Sequence, residues 1–180
     1  MMRKKPMLAY PVSDKPIDYT KTVFMQPKLD GVRCLIQAEK LPFDMGYEPV
    51  AYSRTGKQWL NIDHILQSLK PFFQANPDVI LDGELYNHEL KDDFEKIISC
   101  VRKTKPTDAD RAESRKLVQF HCYDFVDETM PFVDRAHILP ELLSDPLPYG
   151  VRLVPTIVVY DEEDAKLYHK TILERGYEGS

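Results

Sequence analysis

Gln26-Pro27-Lys28-Leu29-Asp30-Gly31-Val32-Arg33 sets one lysine, one acid, one glycine and one arginine between two apolar, β-prone segments. Lys21 to Pro27 lead into it and Cys34 to Ala38 lead out. An Asp-Gly pair between two such runs is a strong short-range hairpin signal. A two-residue turn at Asp30-Gly31 places Leu29 opposite Val32 and Lys28 opposite Arg33. The β-carbons of such a pair lie roughly 5 Å apart, where like charges repel. An anion between them removes that cost, and a cation beside a lysine favours a free, nucleophilic amine. The octet therefore has two readings: a reactive lysine facing a phosphate, or an exposed hairpin with two solvated cations. Taken alone, it favours the second.

Working outward, residues 6 to 16 carry prolines at 6, 11 and 16 around Met7-Leu8-Ala9 and predict an extended, wrapped arm. Residues 39 to 48 read as a loop, and Val50 to Arg54 as a short strand ending at Thr55-Gly56-Lys57. Gly56-Lys57 is not a phosphate-binding P-loop: the earlier glycine is missing and Gln58 replaces the serine or threonine. Apolar spacing from Ile62 to Phe73 predicts a helix over 62–75, with Asn61 as N-cap and Pro71 ending or bending it. Val79 to Tyr86 holds a second Asp-Gly. Read as one continuous strand, it puts Asp82 and Glu84 on one face. Apolar flanks then half-bury both carboxylates, which need a partner such as a diol, a metal or an arginine.

Further on, Leu90 to Val101 predicts an amphipathic helix, and the basic, apolar-poor stretch 102–116 a mobile polar loop that is solvated or touches nucleic acid. Leu117 to Phe125 has strand composition, Asp134 to Leu143 reads as a short helix, and 145–150 as a turn-rich connector. Val151 to Tyr160 predicts a strand interrupted by Pro155, followed by a charged helix from Asp161 to Leu173. No internal repeat or low-complexity tract is present.

A chain of 180 residues supports one good core, and 43% hydrophobic with 29% charged residues is ordinary for a soluble globular protein. No apolar run approaches the roughly 18 residues of a membrane span, and the basic start Met1 to Pro6 lacks the apolar region of a signal peptide. Cys34, Cys100 and Cys122 form an odd set without paired spacing, which predicts reduced, buried thiols in a cytoplasmic or nuclear protein. No two of the five histidines are four residues apart on a helical face, so a zinc site is not expected. A formal charge of −5 argues against indiscriminate coating of nucleic acid but leaves room for a local basic face.

Several of these stretches, in this order, resemble the motifs of the covalent nucleotidyltransferases: ATP-dependent DNA ligases, RNA ligases and messenger-RNA capping enzymes. Lys28-x-Asp30-Gly31-x-Arg33 resembles motif I, Ser53-Arg54-Thr55-Gly56-Lys57 motif Ia, and Asp82-Gly83-Glu84-Leu85 motif III. Tyr123-Asp124 is similar to motif IIIa, with tyrosine where most relatives have phenylalanine, and Glu178-Gly179 to motif IV. The resemblance implies an α+β, ATP-grasp-like domain of two antiparallel sheets with flanking helices and the nucleotide between them. It implies that Lys28 attacks ATP to carry a covalent AMP, with Mg2+ or another divalent metal assisting. Gln26 would read the adenine edge, Arg33 and Glu84 hold the ribose, and Tyr123 stack on the base. Arg54 would bind the 5′-phosphate of nicked double-stranded DNA, and Glu178 would lie near the metal.

An ATP-dependent DNA ligase acting as a monomer, with no membrane partner, is the favoured reading. Replication, repair and recombination are the processes in which such an enzyme seals nicks. Pro6 to Ala9 is similar to the segment preceding motif I in many DNA ligases. A GTP-dependent capping guanylyltransferase and a non-catalytic nucleotide- or nick-binding fragment are the alternatives. Relatives continue past motif IV into a strand with two further lysines and an oligonucleotide-binding (OB-fold) barrel. Residues 1–180 are therefore expected to be a C-terminally incomplete adenylation domain, and a compact ligase of this kind fits a viral source.

Overall fold

Two segments that the sequence places side by side at Asp30-Gly31 part company in three dimensions. The computed structural model describes residues 14–143 and 146–180, so the Pro6 to Ala9 segment lies outside it. Strand β1 (Val23–Met25) pairs antiparallel with the distant β7 (Ile157–Val159) as a two-stranded sheet. Strand β2 (Val32–Lys40) instead enters a five-stranded sheet with β3 (Tyr47–Tyr52), β4 (Ile80–Tyr86), β5 (Gln119–Phe125) and β6 (Val151–Leu153), in the order β3-β2-β4-β5-β6. The expected Lys28–Arg33 hairpin does not form.

Gly31 is not among the positive-φ residues that a hairpin turn of this kind demands. Its need is for close approach: a β-carbon there would lie 2.6 Å from both Glu84 Cγ and the Leu85 carbonyl oxygen. Gly83 plays the same part in the second Asp-Gly, where a β-carbon would meet the His121 carbonyl oxygen at 2.4 Å. Strand β4 accordingly runs unbroken through Asp82-Gly83-Glu84, with only a register shift against β5 between Asp82 and Gly83. The true tight hairpin joins β2 to β3, within the stretch read as a loop. Phe43 and Asp44 both take φ 55° there and Gly46 takes φ 92°.

The larger sheet buries one face and uses the other. Alternation puts Cys34, Ile36, Leu81, Leu85, Phe120 and Cys122 in the core. Helices α1 (Asp63–Ala75) and α2 (Phe94–Val101) contribute Ile65, Leu69, Phe73, Ile97 and Val101 to the same core. Each fully buried side chain of this size contributes about 1.5–3 kcal/mol of hydrophobic stabilisation. All three cysteines are buried and free.

Helix α1 continues past Pro71 to Ala75, because Leu69 and Phe73 on its inner face are fully buried and outweigh one missing backbone bond. Ile62, not Asn61, occupies its N-cap. Asn61 turns inward and donates to the carbonyls of Cys100 (2.9 Å) and Asp110 (3.2 Å).

The stretch expected to be a mobile loop folds from Asp108 as α3 (Asp108–Leu117), nucleated by a capping box between Thr107 and Asp110. Its few apolar residues hide it from periodicity, since only Ser114 of the helix is fully buried. Helix α4 (Phe132–Leu143) packs near β5, and α5 (Glu162–Glu174) starts at an Asp161 cap whose side chain accepts from Asp164 N–H.

The architecture is thus α+β with two sheets and flanking helices, as the sequence implies. Two details differ. Strand β6 runs parallel to β5, so the larger sheet is mixed. Pro155 does more than interrupt a strand: β6 before it belongs to the large sheet and β7 after it to the small one. The chain therefore crosses between sheets twice, at 26–31 and at 154–156, and the two crossings meet.

Candidate active site

The first crossing carries Lys28. Its backbone N–H donates to the Gly179 carbonyl at 2.7 Å, forming an isolated antiparallel bridge with the segment after α5. That bridge sets Glu178 beside Lys28, and the ammonium and carboxylate form an ion pair. Lys28 therefore faces a carboxylate instead of the Arg33 cation that a hairpin would have supplied.

The segment holding Glu178 is itself anchored on β4. His88 Nε2 lies 3.0 Å from the Arg175 carbonyl, which can only accept, so Nε2 carries the proton and Nδ1 accepts from Tyr86 Oη at 2.7 Å. The Tyr177 ring stacks on His88 with centroids 4.2 Å apart.

The face of the large sheet opposite the core holds the second group. Arg33 lies opposite Glu84 in register, and its guanidinium forks onto Asp82 with Nε–Oδ1 2.7 Å and Nη2–Oδ2 2.6 Å. This arginine is the partner that the buried Asp82 requires. The Arg33 guanidinium also lies 5.1 Å from the centroid of the Tyr123 ring. Burial pushes the Glu84 carboxyl up to about 7 and Asp82's charge adds to this, while Arg33 and a hydrogen bond from Tyr123 oppose it. Burial raises the Asp82 carboxyl as well, against the pull of Arg33. The Tyr123 phenol is pushed well above its ordinary range, mainly by burial and then by the two carboxylates.

Gln26, at the start of the first crossing, closes the site by bonding to the second. Its Nε2 donates to the Tyr123 carbonyl at 3.1 Å and to Thr156 Oγ1 at 2.8 Å. Gln26, Tyr123, Arg33 and Glu84 therefore form one connected set, with Lys28 and Glu178 at its rim. Arg54 stands apart on an exposed loop whose shape comes from Gly56 (φ 82°) and from Ser53 N–H donating to the Lys57 carbonyl at 2.7 Å. Trp59 links that loop to the set, its indole N–H donating to the Arg33 carbonyl at 3.4 Å. Asp82 and Thr156 are the members that the sequence reading did not single out as site residues. The Val23–Val159 register predicts Thr156 once the β1–β7 pairing is known, and nothing local reveals it.

No group of three or more metal-ligating side chains converges among the described residues. Glu178 is an accessible carboxylate beside the Lys28 amine. That donor set suits a hard divalent cation which keeps water and shares phosphate oxygens, rather than one caged by protein.

Residues 6–180 match the model of a protein family described as the ATP dependent DNA ligase domain. The chain belongs to this family. Solved structures of similar fold include Pmar-Lig, with 20% identity and a TM-score of 0.73 over 96% of this chain and 40% of that one. A Lig E DNA ligase matches with 19% identity and a TM-score of 0.66 over 99% of this chain and 60% of its own. Chlorella virus DNA ligase-adenylate follows with 19% identity and a TM-score of 0.61, over 97% and 57%. The ligase-domain chain thus spans between 40% and 60% of the length of these neighbours. No curated protein matches it. No described helix of this ligase domain is long and apolar enough to cross a membrane.

Proposed function

We propose that this chain is the nucleotidyltransferase part of an ATP-dependent DNA ligase and forms a covalent Lys28–AMP intermediate. The observation that carries the reading is the placement of one amine, Lys28, at the rim of a preformed polar set between two sheets. Tyr123 offers a flat ring for a base, Glu84 and Arg33 a paired acceptor and donor for a ribose, and Gln26 an amide for the base edge. Lys28 Nζ attacks the α-phosphorus, a P–N bond forms, the bond to pyrophosphate breaks, and the amine proton leaves to solvent. Mg2+ or another divalent cation held by Glu178 and the nucleotide's phosphates would neutralise charge on the departing pyrophosphate.

In this proposal the AMP then passes to the 5′-phosphate at a nick in double-stranded DNA. Exposed Arg54 binds that phosphate with its fork of donors. A 3′-hydroxyl finally displaces AMP and seals the strand. The ligase fold and the family match support this assignment over capping chemistry. Action as a monomer, a role in replication, repair or recombination, a viral origin and an intracellular location belong to the same proposal. So does a division of labour in which an oligonucleotide-binding segment of the kind ligases carry completes the later steps.

Intact mass measurement after incubation with Mg2+ and either ATP or GTP tests the first step. An AMP adduct that disappears in Lys28→Ala is the expected result. A GMP adduct instead would move the assignment to capping, and no adduct with either would contradict catalysis by this chain.

A further inference from the structure

Gln26 follows β1 and Thr156 precedes β7. Because Met25 lies opposite Ile157, one more step of that register sets Gln26 beside Thr156, where the two crossings meet. A primary amide has nearly the same shape either way round and can present an oxygen or an NH2 group. Here chemistry fixes the choice. The Tyr123 carbonyl can only accept, so the atom 3.1 Å away must be the nitrogen. The Thr156 hydroxyl directs its own hydrogen at the Val154 carbonyl, 3.5 Å away, and accepts from the same Gln26 nitrogen at 2.8 Å. Both amide hydrogens are thereby committed to the protein, and Gln26 Oε1 accepts from none of the described residues.

Adenine carries an amino donor at its sixth position, whereas guanine carries a carbonyl acceptor. An amide oxygen held outward pairs with the first and opposes the second. Turning the amide round to suit guanine would break both bonds to nitrogen and set an NH2 group free toward the base. We propose that Thr156 is a specificity-determining positioning residue. By holding the Gln26 nitrogen, it presents Oε1 to the base, and the site selects a purine with a 6-amino group over a 6-oxo purine. This rests on the nucleotidyl-transfer reading of the same site.

Calorimetric binding of ATP and of GTP to the full chain, in wild type, Thr156→Val and Thr156→Ser, tests it. Valine keeps the branched shape and removes the hydroxyl, while serine restores the hydroxyl. The wild type is expected to prefer ATP. Thr156→Val is expected to narrow the ATP-over-GTP ratio by about three- to tenfold, the worth of one hydrogen bond, and Thr156→Ser to recover most of it. A ratio unchanged in Thr156→Val, including an equal loss of affinity for both nucleotides, would reduce Thr156 to a tie between two connectors and overturn its assignment alone. A wild type preferring GTP would overturn the selectivity. A wild type binding neither nucleotide would overturn the underlying reading as well.

Discussion

Lys28 and Arg33 belong to one short stretch, yet they end in opposite surroundings. Lys28 and its partner Glu178 have side chains 61% and 47% exposed, whereas Arg33 and Asp82 are 27% and 10% exposed. The exposed pair lies in a high dielectric, screened by salt, and is worth at most about 1 kcal/mol. The Arg33–Asp82 pair is bidentate and largely dry, where losing one partner strands the other's charge. The difference separates two jobs. The dry group is built in advance and holds its shape, as recognition requires. In the proposed reaction the wet group is held loosely enough for an amine to exchange a carboxylate for a phosphorus centre.

The largest stability effect is expected where a partner is taken from the dry group. Asp82→Ala leaves Arg33 beside the Tyr123 ring without its carboxylate. It should cost about 2–4 kcal/mol, reduced from the fully buried case because Arg33 keeps some contact with water. Urea unfolding measures this directly. A loss no larger than that of an exposed ion pair would erase the contrast between the two groups.

Glu84 sharpens the contrast through pH. Its carboxyl lies near 7 in the folded chain against an ordinary 4.5, chiefly through burial, so the native state keeps a proton that the unfolded state has lost between those values. Stability from this group is full below about 4.5 and is lost as pH rises through about 7. Over that window, wild type should lose about 1–3 kcal/mol relative to Glu84→Gln, which has no proton to release. Parallel stability curves for the two proteins across the window would place Glu84 in water, not in the dry group.

The sequence named the candidate site's residues more readily than the scaffold that holds them. Lys28, Arg33, Glu84 and Tyr123 stand out through the order of the motifs they resemble, and the structure brings Arg33, Glu84 and Tyr123 together. Strand partners are another matter. Val23 pairs with Val159 across most of the chain, and nothing local in either segment names the other. Asp-Gly misleads because it serves two physical needs. A turn needs glycine for positive φ, while Gly31 and Gly83 are needed because neighbouring atoms leave no room for a β-carbon. Helix α3 escaped a reading based on apolar periodicity, although Thr107 and Asp110 mark its start by capping chemistry.

The most direct test of the division between recognition and reaction is ATP binding by Lys28→Arg, followed by calorimetry and intact mass together. Arginine keeps a cation at the rim, but its guanidinium stays protonated and offers no nucleophilic amine. With the dry group untouched, ATP affinity should remain within about tenfold of wild type, a change of no more than about 1.4 kcal/mol, while no covalent AMP forms. Loss of ATP binding altogether, or a stable covalent AMP on the Lys28→Arg protein, would contradict the account.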